Sequence, residues 1–202
     1  MPGTAEVGRM DQHGYHHGNL RRVMLDAALR AIDETGPTGW SLRELARSAG
    51  VSHTAPAHHF GDKTGLLTAV AAEGFESFAE TLAAAGDDFH EVGTAYVRFA
   101  VAHPAHFRVM FRPELYRPDD PAVAPARARS AAILATGAQS LSPDPALDRK
   151  IAVATWSMVH GFVSLWLGGA LADGPEIEPE AFTREIITLA FGHLREPPVD
   201  MP

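Results

Sequence analysis

Residues 41–60 read SLRELARSAGVSHTAPAHHF, and this stretch decides the fold. Ser41 and Glu44 stand three apart, the spacing of a capping box in which hydroxyl and carboxylate each satisfy an orphan amide of a helix start. Leu42, Leu45, Ala46 and Ala49 then fall on one face. Gly50 permits a sharp turn, and Val51 is an apolar plug for the angle that the turn makes. Ser52 is a candidate cap for a second, short helix running to about Phe60. Helix, glycine turn and short polar helix together make the helix-turn-helix pattern, whose second helix lays its first residues in the major groove of DNA.

The flanks support this. Upstream, Leu20, Val23, Met24, Ala27, Ala28, Ala31 and Ile32 recur at helical spacing. Asn19 is the expected cap of that helix, and Thr35-Gly36-Pro37 its end, because glycine suits the left-handed exit and proline cannot extend the ladder. Downstream, a fourth helix begins near Asp62, with Leu66, Leu67, Val70, Phe75, Phe78 and Leu82 on its apolar side. Segments near 88–102, 105–112, 122–139, 146–170 and 179–195 are helical in period and are separated by proline-rich breakers. No strand pattern occurs, so the expected fold class is all-α. The expected organisation is an arm over 1–17, a helix-turn-helix domain over 18–65 and a helical regulatory domain over 66–202.

Composition narrows the function classes. With no cysteine among 202 residues, disulfides, thiolate metal sites and cysteine nucleophiles are excluded. No signal peptide and no 18-residue apolar run is legible, and the expected location is cytoplasmic. The formal net charge of −8 argues against a nucleic-acid binder until its distribution is considered. Residues 1–65 carry seven basic and seven acidic side chains and six of the eleven histidines, so the acidity belongs entirely to the remainder. A neutral N-terminal part can approach phosphate while the acidic part keeps the chain in solution. On the short helix Ser52, His53, Thr54 and His58 are hydrogen-bonding groups able to read base edges, and Lys63 is a candidate phosphate contact.

These residues carry a resemblance to the tetracycline-repressor (TetR) family of transcriptional regulators. It rests on YHHGNLRRVMLDAAL from Tyr15, SLRELARSAGVS from Ser41, HHF at 58–60 and DKTGLL at 62–67. Downstream, Trp156, His160 and Gly161 form a Trp-x-x-x-His-Gly element, and YVRFAVAHPAHFRVMF runs from Tyr96. Both resemble one TetR subgroup. The resemblance implies DNA contacts at Ser41, Arg43, Ser52, His53, Thr54, His58, His59 and Lys63. The chain departs from the pattern at Ala57, where the family usually has a tyrosine, and at Pro56. Both departures bear on operator affinity rather than fold.

The resemblance also implies a small-molecule site among the C-terminal helices and a homodimer that reads a palindromic operator. Candidate effector-site residues are Phe99, Phe107, Met110, Phe111, Trp156 and His160, with Trp166 behind them. Aromatics at helical spacing also suit a plain core. His160 reads either as a ligand donor or, preferred, as a core histidine bonded to a neighbouring carbonyl. Val153, Phe162, Leu165, Phe182, Ile186, Leu189 and Phe191 are more apolar surface than one helix face needs, which suits a subunit interface or a thick monomer core. The His13, His16, His17 cluster lacks metal-ligand spacing and reads as an arm, so no metal or cofactor is expected. His103 and His106 flank Pro104 without any catalytic motif beside them, so an enzyme is not expected. The expected function is a ligand-responsive repressor released from its operator by a small molecule. The alternative is a ligand-binding or enzymatic helical protein that has abandoned DNA.

Overall fold

The computed structural model describes residues 12–139, 141, 144–172 and 177–192, with side chains from Leu20 onward. Helices follow in the order α1 (Gln12–Thr35), α2 (Leu42–Ser48), α3 (Ala55–Phe60), α4 (Lys63–Ala84), α5 (Phe89–Ala102), α6 (Pro104–Met110), α7 (Ala124–Gln139), α8 (Asp148–Leu167) and α9 (Pro179–Phe191). A 3-10 turn at Pro113–Leu115 follows α6. No strand occurs among the described residues, in keeping with the all-α expectation.

The first three helices form around α1. Met24, Leu25, Ala28 and Ile32 are buried against Leu45 and Ala46 of α2 and against Leu66 and Val70 of α4. The start of α2 has the expected box: Ser41 Oγ accepts from the Glu44 amide at 3.3 Å, and the Glu44 carboxylate accepts from the Ser41 amide at 2.8 Å. Its end is a Schellman turn, in which the Val51 amide reaches Ala46 O at 3.0 Å and the Gly50 amide reaches Arg47 O at 3.2 Å. Gly50 has φ +66°, a conformation that costs a side chain of L configuration.

Two helix starts differ from expectation. Asn19 lies inside α1, which begins at Gln12, so it does not stand at a helix start, and residues 12–17 of the expected arm are helical. The rest of that arm, residues 1–11, lies outside the described residues. Ser52 is not the cap of α3 either. The cap position falls to Thr54, and Ser52 instead accepts through its backbone carbonyl from the Ala55 amide at 3.0 Å. Pro56 is thereby the second helical residue, where its missing N–H costs no hydrogen bond.

Helix α4 joins the two halves. Asp62 caps it, accepting from the Gly65 amide at 2.6 Å. Leu66, Leu67 and Val70 pack toward α1 and α3, while Phe75, Phe78 and Leu82 on the same helix enter the core made with α5, α6 and α7. At Gly74 the crossing with α6 is so close that a Cβ would lie 2.7 Å from Met110 Sδ. Polar ties reinforce the junction. Arg22 of α1 meets Glu73 of α4 at 2.7 Å, Glu73 also meets His106 of α6 at 3.1 Å, and Arg108 of α6 reaches the Asp33 carboxylate at 3.3 Å. Farther along, α5 packs on α9, and Phe162 of α8 packs at a tilt against Phe182 of α9 with centroids 5.4 Å apart.

Candidate DNA-reading face and effector cavity

The helix-turn-helix presents one polar side to solvent. Arg43 and Arg47 project from α2, and Ser52, His53 and Thr54 line the approach to α3, all exposed. His58 is exposed and His59 half-buried, with ring centroids 5.3 Å apart. Ala55 and Pro56 turn inward, which is why so short a helix can leave its polar residues outward. Neither Arg43 nor Arg47 is ion-paired among the described residues. Ala57 is exposed and puts a methyl where a longer polar side chain would reach out.

Two of the expected DNA contacts are engaged inside the chain. The Ser41 hydroxyl serves the α2 box and donates to Glu44 at 2.8 Å, an arrangement that holds the Glu44 carboxyl below its ordinary range. Lys63 turns away from solvent. Its ammonium donates to Trp40 O at 2.6 Å and Thr38 O at 3.2 Å and lies 4.0 Å from the centre of the Trp40 ring. Partial burial pushes its pKa down. In this conformation Lys63 clamps the loop before α2 rather than offering charge to phosphate, because two carbonyls and an aromatic face stand within its reach.

The regulatory half holds a partly open cavity of about 420 Å³ between α4, α7, α8 and the end of α6 with the chain after it. Phe75, Phe78, Met110, Phe111, Leu134 and Trp156 wall it, and Arg127, Ser130 and Arg149 add polar groups. A second cavity, of about 350 Å³, lies on the far side of Phe111 and is bordered by Pro37, Phe107, Arg108 and His160. Phe111 is thus a partition. Volumes in this range and apolar walls with few polar groups are what a small-molecule site requires.

The six expected effector-site residues separate accordingly. Met110, Phe111 and Trp156 line the larger cavity, and Phe107 and His160 line the second. Phe99 borders neither. It is buried, 5.0 Å from the Phe78 centroid and 5.0 Å from that of His103, and lines a third space beside Arg22, Glu73 and His106. Trp166 packs at a tilt against Phe162 and lines neither of the two larger cavities.

His160 is held by a group the sequence reading did not single out. The buried Tyr96 hydroxyl lies 2.8 Å from His160 Nδ1 and accepts from Trp156 Nε1 at 3.2 Å. With Trp156 as donor, the phenol proton goes to Nδ1 and the imidazole carries its own proton on Nε2. Burial pushes the Tyr96 phenol up and the His160 imidazole down, so both are neutral near pH 7. The expected backbone carbonyl is therefore a phenol, since His160 has its Nδ1 toward α5. A tyrosine in an otherwise apolar stripe was the available signal, because a buried phenol needs a partner. No such signal marked Arg127 or Arg149, which come to one cavity only through the packing of α7 on α8.

Of the residues expected at a subunit interface, Phe162 is buried within its own chain and Phe191 meets Phe89 at 5.9 Å. Leu165 and Leu189 remain outward, with 51 and 85% of their surface exposed, while Val153, 53% exposed, lines the larger cavity. No helix among the described residues is long and apolar enough to cross a membrane, and no cluster of metal-ligating side chains occurs among them.

Comparison with known proteins bears on both halves. Residues 24–70 match the family of bacterial regulatory proteins, tetR family, and residues 89–189 match the tetracyclin repressor-like C-terminal domain. The regulator BetI of Burkholderia thailandensis is 47% identical over 49 residues, 24% of this chain and 25% of its own length. The chain therefore aligns with only about a quarter of the curated relatives it matches. A Rhodococcus sp. RHA1 structure of unknown function is 31% identical, with 91% of this chain and 97% of that one covered and a TM-score of 0.68. The TetR family transcriptional regulator PfmR of Thermus thermophilus shares the fold, at 21% identity, 84 and 97% coverage and a TM-score of 0.63. With both halves matched in order on one all-helical chain, this protein belongs to the tetR family of bacterial regulatory proteins.

Proposed function

We propose that this protein is a sequence-specific DNA-binding transcriptional regulator, a repressor that leaves a palindromic operator when a small molecule enters the cavity behind Phe111. It acts in the cytoplasm, as a homodimer and without enzymatic activity. Residues 18–65 read DNA and residues 66–202 sense the effector and dimerise. The observation that carries this reading is the continuity of α4: Leu66 and Val70 lie in the core under the recognition helix, and Phe75 and Phe78 of the same helix wall the cavity. A ligand that favours one seating of α4 biases the seating of α3, provided it binds the two states with different affinity.

On the DNA side, Arg43 meets phosphate, while Ser52, His53, Thr54, His58 and His59 lie at the groove. The outward Leu165 and Leu189 suit a two-fold interface that sets the two recognition helices one DNA turn, or a multiple of it, apart. The test is selection of bound DNA from a random pool with purified protein near physiological salt. A recovered palindrome whose affinity falls with added salt is the expected result. A folded, dimeric protein that enriches no sequence would overturn the reading.

A further inference from the structure

We infer that the larger cavity takes an amphipathic acid, a ligand with an apolar tail and a single anionic head, and that Arg127 and Arg149 hold the head. This rests on the reading of that cavity as the effector site and goes beyond it by naming the ligand class.

The observation is one of pairing. Eight described arginines follow α4. Six are ion-paired: Arg98 with Glu180, Arg108 with Asp33, Arg112 with Glu114, Arg117 with Asp62, Arg129 with Glu76 and Arg184 with Glu91. The other two, Arg127 and Arg149, are the two that line the cavity, and no carboxylate lines it with them. In so acidic a chain this separation is informative, because carboxylates were available to every other arginine of that half. Arg127, half-buried, has the Tyr116 phenol beside it, and that phenol is anchored by donating to Met110 O at 2.9 Å. Arg149 stands exposed in the first turn of α8.

Apart from the Tyr116 and Ser130 hydroxyls, which donate to Met110 O and Arg127 O, the rest of the lining fixes the tail. Phe75, Phe78, Phe111, Leu134 and Trp156 offer no acceptor, so an alkyl or aryl group is what they can favourably desolvate. A guanidinium presents a planar fork of donors that matches a carboxylate or a phosphate ester, and such charge-assisted bonds are the strong ones. A neutral ligand would leave both forks without an anion.

The experiment is titration calorimetry of the full-length protein with octanoate, octyl phosphate and 1-octanol, with hexanoate and decanoate extending the series. Octanoate or octyl phosphate should bind about 10-fold or more tighter than octanol, and the better of the two identifies the head. Each added methylene should tighten binding about fourfold until the cavity is full. Arg149→Gln, on an exposed side chain that supports nothing else, should reduce the preference for the acid and leave octanol unchanged. Arg127→Gln should do the same, and the double variant should bring acid and alcohol to within a factor of about three. Octanol binding as tightly as octanoate in the unaltered protein would overturn the acid assignment while leaving the cavity a ligand site. Binding of neither acids nor alcohol would overturn both. An acid preference untouched in the double variant would overturn the role of the two arginines.

Discussion

Tyr96→Phe isolates the hydrogen-bonded trio at the partition between the two cavities. The change removes one oxygen and leaves the ring, which packs on Phe78 at 5.1 Å and Phe111 at 6.1 Å, in place. Two partners are stranded. Trp156 is 45% exposed, so its Nε1–H recovers a water and its loss is small. His160 is half-buried among Phe107, Phe111 and Trp156, with centroids 5.2, 4.9 and 5.9 Å away, and its Nδ1 has no such recourse on the α5 side. One exchanged bond plus one acceptor left dry comes to about 1–2 kcal/mol. For a chain of this length that lowers Tm by roughly 2–8 °C.

Urea unfolding followed by tryptophan fluorescence, at one fixed protein concentration because a dimer's stability depends on it, measures the loss directly. The cycle with Trp156→Phe should show the two changes to be less than additive, since both remove the same bond. The histidine should also titrate higher in the variant, because the phenol's proton favours the neutral ring. A variant within about 0.3 kcal/mol of the parent, with an unmoved His160 titration, would refute the trio as a structural unit.

Three further outcomes follow from the structure. His160 and His106 are both lowered, burial being the larger cause in each, with Glu73 opposing it at His106. The unfolded chain therefore binds protons that the folded one does not, so stability should be full above the unfolded histidine value of about 6.5 and fall as pH drops below it, with a shallower decline in His160→Gln. Thermal denaturation between pH 7.5 and 5.5 checks this, and a flat profile would contradict it. Gly50→Ala forces φ +66° on a residue with a Cβ, though nothing stands within 4 Å of that atom. The loss should be about 1–2 kcal/mol from backbone strain alone, seen in chemical denaturation. Arg43→Ala should weaken DNA binding evenly across sequences and lower the salt slope by about one, whereas His53→Ala should change which bases are preferred. Binding selections at two salt concentrations separate the two.

Local chemistry made the scaffold legible before any coordinates. The Ser41–Glu44 box, the glycine turn at Gly50, the exit at Gly36 and the apolar stripes of α1 and α4 each depend on neighbours within about five positions, the range over which caps, turns and helical periodicity operate. All-α architecture, the helix-turn-helix and the family resemblance were therefore carried by the order of residues alone. The two helix starts that were misplaced, at Asn19 and Ser52, were also local. There a longer helix and a backbone turn outcompeted a cap that composition permits but does not require.

The site was legible only in outline. Met110, Phe111 and Trp156 were recognisable as wall residues, but aromatic periodicity cannot distinguish Phe99 in the core from Phe111 between two cavities, since both are apolar and helical in spacing. That the Lys63 ammonium is engaged with Trp40 and Thr38 could not be read from the order of residues. The Tyr96–His160 bond joins positions 64 apart, and Arg127 meets Arg149 at one cavity only because α7 lies along α8. What the order of residues determined by itself was the helices, the Ser41–Glu44 cap and the helix-turn-helix pattern. Which polar groups are used up internally, and which are left without an ion pair at a cavity, was decided by the tertiary structure, because that question turns on distances between segments that no periodicity encodes.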